Sequence, residues 1–210
     1  MTFRSFVGGV AGGTKNGHQE PGFTMLETLL VVGLIGVISV IAVPMSSHAL
    51  ANFRVSGDAR SLSNAIALTK VRAASDFSQV RLFVDLAAKT HHVEAWDKAG
   101  SIWTVEGGTT ALSSSVSFGF GAVGTAPPNT QGIIGQAPPC KDNAGTVLGN
   151  TACVIFNSRG VPVDSAGAPT GLDAIYITDG SSVYSVNLSA TGMIRTWRTP
   201  AQGTASWVLQ

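Results

Sequence analysis

From Thr28 to Ser47 no residue carries a charge, and Leu29 to Val43 is almost entirely Leu, Val, Ile, Gly and Ala. A helix made from such residues is apolar around its whole circumference, so it must be buried on every side. With Phe23 to Leu26 added, the segment reaches the roughly 20 residues needed to cross a bilayer. Residues 23–47 are therefore expected to form a membrane-spanning half of a helix. The flanking basic residues, Arg4 and Lys15 before and Arg54 and Arg60 after, leave its orientation open.

One carboxylate, Glu27, stands at the start of this run. An acid in the apolar phase costs roughly 2.5 to 3.5 kcal/mol at mid-membrane and less near an interface, so it calls for a cationic partner. The chain has no Lys or Arg between Lys15 and Arg54. Cleavage between Gly22 and Phe23 would create a cation, because the new amine on Phe23 would lie close to Glu27, on the same subunit or on a neighbour.

Gly22-Phe23-Thr24-Met25-Leu26-Glu27, followed by the long apolar run, resembles the processing site of the type IV prepilins. The resemblance implies that residues 1–22 are a leader removed by prepilin peptidase and that Phe23 is N-methylated. It also implies that Glu27 neutralises the amine of a neighbouring subunit in a helical filament. The leader departs from the family in carrying Glu20 and Pro21 where basic residues are usual. Its Gly8-to-Lys15 stretch only grazes a phosphate-loop pattern, since Lys15 stands one place late and no strand precedes it. An ordinary secretory signal is the competing reading: Ala49-Leu50-Ala51 offers a small-x-small site that would release a soluble chain from Asn52. That reading leaves Glu27 without a role.

Pro44 removes a backbone donor and is expected to kink the helix without ending it. Leu50, Phe53, Leu62, Ile66, Thr69 and Ala73 then recur at helical spacing, with Arg54, Asp58, Arg60, Lys70 and Arg72 largely on other faces. Residues 48–76 are thus expected as an amphipathic half, ending near Ser75. From Gln79 the period changes to two: Val80, Leu82 and Val84 alternate with Arg81, Phe83 and Asp85, and Val93 with Ala95 follows a turn, which predicts a hairpin. Ile102–Val105 and Val116–Phe120 predict short strands. Residues 107–151 hold two charges, Lys141 and Asp142, among Gly, Pro and Asn, and read as surface loop. Strands return at Cys153–Phe156, Ala174–Thr178, Val183–Leu188 and Met193–Trp197, with a hairpin at Asp179-Gly180. The fold class expected is α+β: a long N-terminal helix packed on an antiparallel β-sheet domain over 77–210.

Val154-Ile-Phe-Asn-Ser-Arg-Gly-Val-Pro162 and Ser189-Ala-Thr-Gly-Met-Ile-Arg195, taken with the N-terminal match, resemble the minor pilins and pseudopilins of the FimT and GspH kind. Nothing between Gly107 and Asn150 adds to this. The resemblance implies a structural subunit of a type II secretion pseudopilus or a type IV pilus. Its partners would be prepilin peptidase, other pilin or pseudopilin subunits and the bacterial inner membrane. A single-pass helix would hold the β-domain in the periplasm or on an extracellular filament.

Cys140 and Cys153 have no His nearby to complete a zinc set. Outside the cytoplasm they are expected to pair in a disulfide contributing about 3 kcal/mol.

The 13 basic and 12 acidic residues nearly cancel, giving a formal charge of +1 and no whole-chain field to draw in nucleic acid or anionic lipid. No Gly-x-Ser-x-Gly, Ser-x-x-Lys, His-Glu-x-x-His or Cys-x-x-Cys motif occurs, so no enzyme, metal, cofactor or small-molecule substrate is expected. His91 and His92 are adjacent and on a strand would face opposite ways, as surface residues. Tyr176, Tyr184 and Trp197 are expected in the sheet core.

Some FimT-like minor pilins bind DNA through arginines in a C-terminal Gly-Arg-x-Arg pattern, which here is Gly192-Met193-Ile194-Arg195 and lacks the first arginine. Arg195 and Arg198, with Arg159 near, would form a joint patch only if the strand became irregular after Trp197. Without the leader's Arg4, Lys15 and Glu20 the basic and acidic residues are equal in number, so the pull on phosphates would be weak.

Overall fold

The computed structural model of the protein describes residues 22–210, and of residues 41 and 43–48 the backbone alone. The expected leader, apart from Gly22, lies outside the described residues. Helix α1 runs Met25–Ser75. It ends at the predicted place and continues through Pro44, where the described chain divides into two units, 22–44 and 45–210.

In the first unit, α1 begins under a cap. The Glu27 N–H donates to Thr24 Oγ1 at 3.2 Å and the Thr28 N–H to the Thr24 carbonyl at 3.1 Å. Thr24 is therefore the N-cap, satisfying first-turn donors that would otherwise lack partners. The apolar side chains described from Phe23 to Val40 are exposed. Among the described residues no helix is long and apolar enough to cross a membrane.

In the second unit the helix buries one stripe: Val55, Ala59, Leu62, Ile66, Thr69 and Ala73. Their alternating spacings of four and three keep them on one side of a 3.6-residue turn. Leu50 and Phe53, expected on this stripe, are instead 55% and 75% exposed. Their positions place them around the helix from Val55, on the far side of the cylinder.

Two five-stranded sheets follow. One has the order β3-β2-β1-β5-β6, built from β1 (Val80–Asp85), β2 (Thr90–Asp97), β3 (Ile102–Ala111), β5 (Thr151–Phe156) and β6 (Pro162–Val163). The other has the order β10-β9-β8-β7-β4, built from β4 (Ser117–Phe118), β7 (Asp173–Thr178), β8 (Ser182–Leu188), β9 (Ile194–Pro200) and β10 (Val208–Leu209). All pairings are antiparallel; β7 through β10 form a meander, while β5, which follows the predicted Cys153–Phe156 strand, pairs in the other sheet. β3 is longer than predicted and the strand around Val116–Phe120 is shorter.

Strand alternation divides the core. Val80, Leu82, Val84, Val154, Phe156, Ile175, Ile177, Tyr184, Val186 and Leu188 join the helix stripe in one cluster, so both sheets turn an inner face to α1. Their outer faces are apolar too. Tyr176 and Val183 are covered by Val123 and Trp207, while Cys153 and Ile155 are covered by Cys140 and Leu148. Within 107–151, expected as surface loop, the segment 119–150 inserts Val123, Ala137 and Cys140 into buried positions. Its low charge follows from that duty, because a covering segment must be apolar on its underside. The Cys140–Cys153 disulfide is formed, with Cα atoms 4.9 Å apart, and fastens this segment to β5.

Candidate functional site

The processing and assembly residues occupy the helix start. Gly22, Phe23 and Thr24 precede the helix without regular structure, and all three are exposed. A Cβ placed on Gly22 would meet nothing within 4 Å. Nothing in the described chain therefore demands glycine there. Glu27 lies in the first turn, where its charge favours the positive end of the helix dipole, and no ion-pair partner lies beside it among the described residues. Thr24 and Glu27 stand as N-cap and N3, the Thr-x-x-Glu spacing of a capping box, of which the Glu27 N–H to Thr24 Oγ1 bond is formed. The rival cleavage site, Ala49 to Ala51, lies inside α1.

The two C-terminal stretches singled out in the sequence come together on the helix. The Asn157 side chain accepts from the Arg159 and Val161 N–H groups, closing a turn that ends in Gly160 at φ 70°. Ser189 closes the matching turn ending in Gly192 at φ 75°. Lys70 bridges them: its Nζ donates to the Gly192 carbonyl at 3.0 Å, and its aliphatic stem would contact a Cβ on Gly160 at 3.3 Å. Both positions need glycine, for the left-handed backbone and for close approach.

Arg195 and Arg198 are kept apart. β9 stays regular to Pro200, pairing Arg195 with Asn187 and Arg198 with Tyr184, so the arginines leave opposite faces of the sheet. Arg198 lies over the Tyr184 ring at 5.8 Å, while Arg195 lines a separate cleft beside Met193 and Leu172. The irregular strand end that a joint patch requires does not occur. Tyr176 and Tyr184 are buried as expected, and Trp197 is half-buried.

His91 and His92 do face opposite ways, but His91 is not a surface residue. It points into the core 3% exposed, and burial holds its imidazole below the usual histidine range, opposed by the nearby Asp58 carboxylate. His92 contacts Glu94 at 3.0 Å, and Glu94 accepts from Arg81 Nε in a buried pair. Desolvation draws the Arg81 guanidinium below its usual value, and Glu94 opposes the shift. The sequence reading missed this pair; Arg81 and Glu94 directly opposed in a hairpin register would have shown it. Among the described residues no group of His, Cys, Asp and Glu could hold a metal.

No family model matches the chain, and no curated protein does. Among solved structures it is similar to the minor pseudopilin EpsH of the Vibrio cholerae type II secretion system, in two determinations. One is 12% identical with a TM-score of 0.40, covering 73% of this chain and 96% of that one. The other is 10% identical with a TM-score of 0.35, covering 75% and 96%.

Proposed function

We propose that the chain is a structural subunit of the minor pilin or pseudopilin type, in a type II secretion pseudopilus or a type IV pilus, and not a catalyst. The observation that carries this reading is the helix start. An exposed, non-helical Gly22–Phe23 bond, at which the chain itself has no need of glycine, precedes a capped helix whose first turn holds Glu27. Prepilin peptidase cuts this bond and Phe23 is N-methylated. Residues 23–47 wait in the inner membrane, 48–76 support the domain, and 77–210 face the periplasm or the filament exterior.

Assembly also accounts for the exposed apolar side chains. Those from Phe23 to Val40, and Leu50, Phe53, Leu68 and Val71 beyond, have no cover within the described chain. Membrane and neighbouring subunits cover them in turn, with Glu27 meeting a neighbour's terminal amine. The test is the N-terminal residue and mass of protein recovered from its host. A methylated Phe23 start is expected, and a start at Asn52 would overturn the reading.

A further inference from the structure

The outer face of the first sheet holds a cleft of about 220 Å³ between the Trp96 and Trp103 indoles and the loop after Cys140. The rings meet edge to face with centroids 5.1 Å apart, and both are half-buried. Arg81 lines the cleft floor, only 4% exposed, with its guanidinium 4.1 Å from the Trp103 ring centre. Glu94 takes its Nε–H and the Lys141 carbonyl its Nη1–H, so the group is locked in place. Nη2 makes no hydrogen bond among the described residues.

The other polar groups of the cleft are likewise oriented but not fully used. Asn143 accepts the backbone N–H of Trp103 through Oδ1, which leaves its NH2 group. Asp142 accepts the Ala144 and Thr146 N–H groups through Oδ1, which leaves Oδ2. The Gln79 side-chain amide lines the cleft and makes no hydrogen bond among the described residues. Charge nearly cancels, Arg81 against Glu94 and Lys141 against the adjacent Asp142.

We propose that this cleft binds a neutral saccharide, one pyranose ring at a time. The C–H face of the ring lies on the Trp96 indole, and its hydroxyls reach Arg81 Nη2, Gln79, Asn143 and Asp142. The chemistry decides among ligand classes. A sugar hydroxyl both donates and accepts, matching a rim that holds guanidinium and amide donors beside a carboxylate acceptor. An apolar ligand would leave these groups unpaired at a cost, and an anion would find no surplus positive charge. Aromatic walls with a few fixed polar groups are the common make-up of small-ligand sites. This inference is independent of the filament reading.

The full chain, held in a detergent without a sugar headgroup, is titrated with methyl glucoside, methyl galactoside, methyl mannoside and N-acetylglucosamine while the indole N–H resonances are followed. With at least one sugar, the Trp96 and Trp103 signals should shift saturably, with Kd on the order of 1 mM, while Trp197 and Trp207 stay still. Trp96→Ala and Gln79→Ala should each weaken binding about tenfold, and Trp96→Phe should retain most of it. Absence of a saturable shift with every sugar, or equal movement of all four indoles, would overturn the proposal. So would preferential binding of a short neutral peptide at the same two indoles. Should Trp96→Ala fail to fold, Gln79→Ala decides, since that side chain supports nothing else; wild-type binding by it removes the site.

Discussion

The two halves of α1 use apolar residues in opposite ways. From Met25 to Val40 they surround the helix and are exposed, whereas from Val55 to Ala73 most of them form one stripe with every member at most 1% exposed, and only Leu68 and Val71 among the large ones stay outside it. The second half is stabilised by the rest of its own chain, through the inner faces of two sheets. The first half has no such cover within the described chain. The difference is one of period: an all-round apolar helix cannot be satisfied by a single sheet face, while a stripe can. Substitutions in the two halves should therefore act on different quantities, stability in one case and insertion or assembly in the other.

The widest separation is expected between Leu62→Ala and Leu34→Ala. Leu62 is fully buried, and its truncation should cost about 3 kcal/mol of domain stability through lost transfer energy and a cavity. Leu34 is 55% exposed, and the same change should leave the urea midpoint of the β-domain where it was. Equal losses would mean that the first half is also part of the domain's cooperative unit.

Next in size is the disulfide. Cys153→Ser should lower domain stability by about 3 kcal/mol, since the bond closes a loop with a sequence separation of 13. Covering of the outer sheet face by Cys140 and Leu148 should loosen with it, so amide exchange should quicken in residues 140–150 while the helix stripe remains protected.

Glycines sharpen the same contrast with a change of sign. Gly192 has φ 75°, and a Cβ there would stand 3.0 Å from Lys70 Nζ and 3.1 Å from the Gly160 carbonyl. Gly192→Ala should cost about 1 to 2 kcal/mol from the left-handed backbone alone. Gly33 and Gly36 lie in helical backbone with open space for a Cβ, so alanine at either should favour the helix by about 0.5 to 1 kcal/mol. Circular dichroism on the chain in micelles reads both effects.

How much of this was legible in the sequence depended on whether the signal was local. The helix end at Ser75, the Val80 hairpin and the Asp179-Gly180 hairpin followed from period and turn chemistry within a few residues. Leu50 and Phe53 were misplaced because helical spacing alone does not say which of two apolar faces meets the sheets. The long segment 119–150 was misread for a related reason. Its buried apolar residues, Val123, Ala137 and Cys140, have no period, and only distant strands give them a use: Val123 and Cys140 cover outer sheet faces and Ala137 joins the helix-side core. The separation of Arg195 from Arg198 was legible as strand alternation, provided that β9 stayed regular. The Arg81, Trp96 and Trp103 cleft was not legible, because its parts converge from three neighbouring strands, β1, β2 and β3, and a disulfide-held loop.

The smallest expected effect is a pH dependence confined to the second unit. His91 packs against the helix half that carries Asp58, and burial lowers its pKa from the ordinary 6.5. The unfolded chain therefore binds a proton more readily than the folded one, and stability should fall as pH drops below about 6.5. Asp173 acts in the other direction. Burial raises its carboxyl from 3.8 to about 6, so the folded state takes up the proton first, and stability should rise as pH falls from about 6 towards 3.8. The two slopes oppose each other just below about pH 6 in the wild-type chain, where both windows are open. Asp173→Asn removes one of them. In that variant the thermal midpoint should hold at neutral pH and decline as pH drops below about 6.5, and adding His91→Leu should level it, whereas Asp58→Asn should deepen the decline by taking away the charge that favours imidazolium. A level profile in Asp173→Asn alone would mean that His91 is solvated in both states, and the inner face of the first sheet would then be less tightly closed against the helix than Val80, Leu82 and Val84 indicate.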